Sequence, residues 1–275
     1  MKRIIRVFPR KTKATPTDGL AAVNRLPDLF DRADEVHVSV AFTYDLPRAE
    51  ELAAQWKHVA PVTIGGPATG QPSGEFTPGM YIRKGYTITS RGCPNRCWFC
   101  NVWRREGSAV RELPITDGWN ILDDNLLACS EQHIRAVFAM LARQNERPIL
   151  TGGLEAKLLK PWHVDLLRSA KPERVFFAYD TPDDYEPLRY AAKMMKDGGF
   201  NPATHHRGMC YVLCGHKSDT FDKAEKRMTE VLDLSLTPMA MLFRDKHGIQ
   251  EKQWEAWTRQ WARPSIIHAK KKASR

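Results

Sequence analysis

Three cysteines stand within eight positions in the stretch TSRGCPNRCWFC, residues 89–100. Cys93, Cys97 and Cys100 follow the spacing C-x3-C-x2-C, and the aromatic Phe99 immediately precedes the third. Thiolates set this closely bind soft metal centres. Structural zinc is normally closed by four ligands in pairs such as C-x2-C, and a bacterial ferredoxin run continues to a fourth cysteine. Here no fourth thiol completes the set, since the next cysteine is Cys129. Three ligands on a cubane of four irons leave one iron open, and an open iron can chelate a substrate. The competing account is a zinc ion that takes a histidine as its fourth ligand.

Other residues could share such a site. In NILDDNLLAC, a strand period of two places Asp123 and Asn125 on one face and Asp124 on the other, although a turn using its own Asx side chains reads equally from these residues. Gly152 and Gly153 in ILTGGLEAKLL let a ligand or a neighbouring backbone come close, and a tight turn would also want them. RVFFAYDTPDD puts Phe176, Ala178 and Asp180 on one strand face with the carboxylate at its end, where it could meet a ribose hydroxyl or cap a helix. Cys210 and Cys214 share a strand face. They could ligate a second cluster, but free cysteine more commonly packs as a small hydrophobe. His205 and His206 read as a solvent-facing loop, and Trp254, Trp257 and Trp261 as a helical stripe that docks on the core.

The elements that must position these groups follow from apolar patterning. Residues 2–8, 36–42 and 61–66 are short β-branched runs that read as buried strands. Between the last two, Leu46, Ala49, Leu52, Ala53 and Trp56 recur at helical spacing, which completes a β-α-β unit. The Gly- and Pro-dense stretch 65–79 reads as a linker. Beyond it, strands are expected at Tyr86–Thr89, Trp119–Asp123, Pro148–Leu150, Arg174–Tyr179, Met209–Leu213 and Pro238–Leu242. Helices fit between most of them, one capped by Ser130, one stopped at Gly198 and Gly199, and one capped by Thr220. Parallel β/α sheets place chemistry at the carboxyl ends of their strands, and the cysteine loop follows directly on such a run.

The stretch CPNRCWFC resembles the signature of the radical S-adenosylmethionine (SAM) enzymes, including the aromatic before the last cysteine. The resemblance implies a [4Fe–4S] cluster held by Cys93, Cys97 and Cys100, with the unique iron chelated by the amino and carboxylate groups of SAM. Reductive cleavage of SAM would then yield a 5′-deoxyadenosyl radical that abstracts hydrogen from a substrate. It also implies that Phe99 lies near the adenine and that Asp123, Asp124 and Asn125 match the place of a polar stretch holding the methionine ammonium. Gly152, Gly153 and Asp180 complete the expected cofactor pocket. The implied fold is α/β: a partial (β/α)6 radical SAM barrel over 80–245, preceded by a small Rossmann-like α/β segment over 1–75 and followed by a C-terminal helix and basic tail over 246–275. The later stretches, with YVLCG at 211–215, look like a branch often joined to cobalamin-binding domains, and the segment 1–75 resembles a truncated one. That segment lacks the D-x-H-x-x-G stretch that supplies a lower histidine ligand, and His37 reads as packed within a strand.

Composition bounds the partners. Hydrophobic residues at 42% with 27% charged are ordinary for a globular chain, and no apolar run approaches the ~18 residues a membrane helix needs. With no signal-like opening, a cytoplasmic, non-membrane protein with reduced thiols is expected. The net charge of +10 suits a polyanion, so a nucleic-acid base or nucleotide is one substrate class; a peptide or protein residue is another, and methyl transfer with retained cobalamin a third. From a different class, the chain would be a non-catalytic zinc-binding interaction protein. Arg91, Arg96, Arg104 and Arg105 flank the cysteines and could steer an acidic electron donor such as flavodoxin or ferredoxin.

Overall fold

The computed structural model describes residues 2–245, 252–262 and 267. The chain forms two compact units, one from Met1–Thr87 with Gly92–Ala109, the other from Ile88–Arg91 with Val110–Asp245 and the C-terminal helix.

The first unit contains β1 (Ile4–Phe8), β2 (Ala21–Val23), β3 (Glu35–Ser39), α1 (Leu46–Trp56), β4 (Val62–Gly65), β5 (Tyr86–Thr87) and, within the cysteine loop, the single-turn α2 (Val102–Arg105). Four strands form a parallel sheet in the order β2-β1-β3-β4. Register sets Ile5 beside Val36 and Val7 beside Val38. Against them α1 buries Ala49, Leu52, Ala53 and Trp56, the face its spacing predicts. Each large side chain so buried contributes about 1.5–3 kcal/mol, and the Trp56 indole N–H is satisfied by the Arg25 carbonyl at 3.1 Å. The three expected strands are present but shorter, and three-residue β2 carries too little pattern to be foreseen.

The stretch 65–79 is not the free linker its composition suggests. Buried Arg6 donates to the carbonyls of Gly79 and Met80 and pairs with Asp18, so the end of the stretch is tied to β1. Ser73 donates through its backbone N–H and its hydroxyl to Glu106, whose side chain is wholly buried. Buried charges must find partners, and this segment supplies them. His37 lies in β3, half-buried, with Nδ1 2.6 Å from the Tyr81 hydroxyl and Nε2 3.1 Å from Glu35.

The second unit begins with an antiparallel pair, β6 (Ser90–Arg91) and β7 (Arg111–Glu112). There follow β8 (Asn120–Ile121), α3 (Glu131–Leu141), β9 (Ile149–Leu150), α4 (Pro161–Ala170), β10 (Arg174–Ala178), α5 (Tyr185–Asp197), β11 (Gly208–Cys214), α6 (Phe221–Asp233), β12 (Thr237–Leu242) and α7 (Lys252–Trp261). Strands β8 to β12 lie side by side in sequence order, all parallel. The cap readings hold: Ser130 Oγ accepts from the His133 N–H at 3.2 Å, and Thr220 Oγ1 from the Lys223 N–H at 3.3 Å. The α5 helix stops at Gly198, and Gly199 takes a positive φ of 81°. Helix α4 was not anticipated, its apolar face being narrow, with Val164 and Leu167 buried.

Two strand expectations need correction. The run Tyr86–Thr89 is not one strand: it ends at Thr87, and the chain then changes partner to form β6. Trp119–Asp123 shrinks to Asn120–Ile121, so Asp123, Asp124 and Asn125 stand beyond the strand. On α7, Trp254 and Trp261 are buried in the main core, so this stripe docks rather than facing a ligand. The basic tail, 268–275, lies outside the described residues. Among the described residues, no helix is long and apolar enough to cross a membrane.

Candidate metal and cofactor site

The cysteine loop belongs to the first unit and is pinched where it opens. Gly92 has φ +93°, and a Cβ there would stand 2.3 Å from the Ala109 carbonyl oxygen, so only glycine closes this turn. Just inside, the Cys93 N–H donates to the Gly107 carbonyl at 3.3 Å. The Cys100 N–H donates to the Cys97 carbonyl at 3.1 Å, which makes the second spacing a tight turn. Trp103 Nε1 donates to the same carbonyl at 3.0 Å, Arg104 donates to the Cys100 carbonyl at 2.8 Å, and the Arg104 guanidinium lies 4.4 Å from the Trp103 ring centre. All three loop cysteines are half-buried, and the Cys100 sulfur accepts from the Val102 N–H at 3.5 Å. Phe99 is half-buried, edge-on to Trp98, which is 53% exposed.

As donors, three unoxidised thiols on one short loop suit a soft iron–sulfur centre. Among the described residues, however, no three His, Cys, Asp or Glu side chains are gathered closely enough to hold a metal ion in the conformation seen. The donor chemistry fits an iron–sulfur centre.

The acidic stretch after β8, in the second unit, is committed to its neighbours. Asp123 is 1% exposed. Its Oδ1 accepts from the Thr89 N–H at 2.6 Å, and its Oδ2 from the Thr89 and Ser90 hydroxyls at 2.6 and 2.8 Å. Burial pushes its pKa up, against these hydrogen bonds. Asp124 pairs with Arg91 at 3.3 Å, and Asn125 Nδ2 donates to Glu155 Oε2 at 2.6 Å. Alternation of burial does put Asp123 and Asn125 inside, as the period of two suggests, although the backbone is no longer a strand.

Gly152 and Gly153 answer to the backbone. A Cβ on Gly152 would stand 2.2 Å from the Asp123 carbonyl oxygen, and Gly153 has φ +92°. The space bordered by Ile121, Asp123, Leu150, Gly152 and Gly153 holds no water-sized void. At the end of β10, Asp180 Oδ1 accepts from the Leu213 N–H at 3.0 Å, and burial pushes its carboxyl up to about 6. It does not cap α5; Asp184 accepts from the N–H and hydroxyl of Thr181.

Cys210 and Cys214 are fully buried in the main core, with thiols raised by burial, Cys214 to about 12. They pack as small hydrophobes. Cys129 is half-buried, raised to about 11 by burial. His205 and His206 are exposed residues with φ of 53° and 52°. Of the four arginines near the loop, Arg91 and Arg105 are engaged by Asp124 and Glu106, which leaves Arg96 and Arg104 as the exposed pair.

Thr89, Ser90, Glu112, His133 and Glu155 join these networks without having been singled out from the sequence. Isolated polar residues carry no spacing signal; only Glu155, two residues past Gly153, sits near a recognisable motif.

Fold and site together define an α/β protein built on parallel sheets with a three-cysteine loop following a short strand. Comparison with protein-family models gives no match for this chain, and comparison with curated proteins gives none. The functional reading therefore rests on the residues themselves.

Proposed function

We propose that this chain is a radical SAM enzyme. The observation that carries the reading is the C-x3-C-x2-C loop itself: three half-buried cysteines with Phe99 before the third, directly after the short strand β6 in an α/β chain. The succession of helices and parallel strands from β8 to β12 supports a partial (β/α)6 barrel as the scaffold. Cys93, Cys97 and Cys100 would hold a [4Fe–4S] cluster, which with SAM bound supplies reductive cleavage of the sulfonium to a 5′-deoxyadenosyl radical. Phe99 offers an apolar ring beside the cluster ligands, where it shields the loop from water. Exposed Arg96 and Arg104, with Trp98 between them in sequence, suit an acidic one-electron donor such as flavodoxin or ferredoxin. The net charge of +10 favours a nucleic-acid base or nucleotide over a peptide residue as substrate.

Anaerobic reconstitution with iron and sulfide tests the reading. The expected product is brown, carries about four irons per chain, and releases 5′-deoxyadenosine from SAM on reduction. Substituting any of Cys93, Cys97 or Cys100 by alanine abolishes both properties, whereas Cys210→Ala keeps them. A colourless protein holding one zinc ion on the loop thiols would refute it.

A further inference from the structure

The chain enters and leaves the cysteine loop through β6 and β7, and polar groups on and beside these two strands are hydrogen-bonded to Asp123, Ser130 and His133. Thr89 lies where the chain has left β5 and not yet begun β6, and its N–H is taken by Asp123 rather than by a strand neighbour. All three partners of Asp123 are donors, so two carboxylate oxygens satisfy two consecutive residues at the change of strand. On the other side, His133 Nε2 lies 3.2 Å from Thr89 Oγ1, and its Nδ1 lies 3.7 Å from Glu112. Glu112 accepts from the Ser130 N–H at 2.6 Å and stands opposite Ser90 in the β6–β7 register. Hydrogen bonds thus join Ser90, Asp123, Thr89 and His133, and Glu112 on the facing strand lies 3.7 Å from His133.

One further pairing needs support. Arg91 stands directly opposite Arg111, a like-charge pair that weakens a two-residue ladder, and Asp124 sits against Arg91. Consecutive carboxylates, Asp123 and Asp124, hold consecutive residues of β6.

We infer that Asp123 is a positioning residue that anchors the strand launching the cysteine loop, and so sets the separation of the loop's two ends before any metal binds. A carboxylate buried this deeply costs desolvation, and three donors at 2.6–2.8 Å offset it. Its Oδ1 accepts one of these bonds and its Oδ2 the other two, all from the stem. The anchoring stands on the contacts alone; only its consequence for metal uptake rests on the proposed function.

The test compares the full-length wild-type chain with Asp123→Ala, Asp123→Asn and Thr89→Val, first without metal. Hydrogen exchange is followed at residues 88–91, alkylation at Cys93, Cys97 and Cys100, and iron uptake after reconstitution. Asp123→Ala should speed exchange at Thr89 about tenfold or more, the loss of one to two hydrogen bonds, and should quicken alkylation of the loop thiols. Exchange in α4 to α6 should stay at the wild-type rate. Asp123→Asn, which keeps one acceptor for the Thr89 N–H, should fall between, and Thr89→Val should match the loss of one hydroxyl bond. If Asp123→Ala fails to fold, the two milder variants carry the same readouts. Unchanged exchange and alkylation in all the variants overturn the inference. So does loss of SAM binding with an undisturbed metal-free loop, because Asp123 would then be a direct contact. A wild type that takes up no iron while its Asp123 variants loosen the stem removes the proposed function and leaves the anchor in place.

Discussion

Asp180→Asn is expected to stabilise this protein at neutral pH. The Asp180 carboxyl is raised from 3.8 to about 6, chiefly by burial at the end of β10, with Asp184 adding to the rise and the Leu213 N–H opposing it. A carboxyl raised in the folded state favours folding fully below its unfolded value, and that advantage fades as pH climbs through the folded one. Above about pH 6 the native chain carries a buried charge that the unfolded chain hydrates freely. At about 1.4 kcal/mol per pH unit, the gap between 3.8 and about 6 corresponds to about 3 kcal/mol. Asparagine has no charge to bury and retains an acceptor for the Leu213 N–H. Paired urea unfolding curves from about pH 4 to about pH 8 should therefore show the variant ahead by about 2–3 kcal/mol at neutral pH. The advantage should shrink below about pH 6 and vanish near pH 4. A difference that is constant across this range, or one that grows as the solution is acidified, would show that the carboxyl is not titrating in a buried setting.

Gly152→Ala should destabilise the second unit by about 3 kcal/mol, because the new methyl meets the backbone oxygen and nitrogen of Asp123 at 2.2 and 2.8 Å and neither can swing away. Gly74→Ala, where a Cβ meets nothing within 4 Å, should stay within about 0.5 kcal/mol of wild type in the same thermal melts. Glu106→Ala removes the acceptor shared by Ser73 and nearly buried Arg105, and should cost about 3–5 kcal/mol. Limited proteolysis should then cut within 65–79, a stretch protected in the wild type; an uncut stretch would mean that Glu106 does not hold it.

Where periodicity was strong, elements were legible in the chain. The apolar face of α1, the Ser130 and Thr220 caps and the glycine stop of α5 are local matters of spacing and N–H satisfaction, and each is found at the expected residue. Short elements were not legible. β7 and β8 have two residues each, fewer than any pattern needs, and the break after Thr87 depends on which distant strand accepts each N–H. The Gly- and Pro-rich stretch illustrates the same limit: its composition signals turns, but Arg6 and Glu106, far away in sequence, decide that those turns are tied down.

The three-cysteine loop was legible as a candidate site from residue type and spacing alone, because cysteines a few residues apart in sequence stay on one loop in any fold. So were the parallel α/β class and the burial of alternate residues at Asp123 and Asn125. What the carboxylates do was decided only in three dimensions. A buried Asp takes whichever donors surround it, and Thr89, 34 residues away in sequence, supplies two of the three. Tertiary packing likewise made Gly152 a requirement of the neighbouring backbone, and it placed Cys210 and Cys214 inside the core, where a thiol gains more from burial than from ionisation.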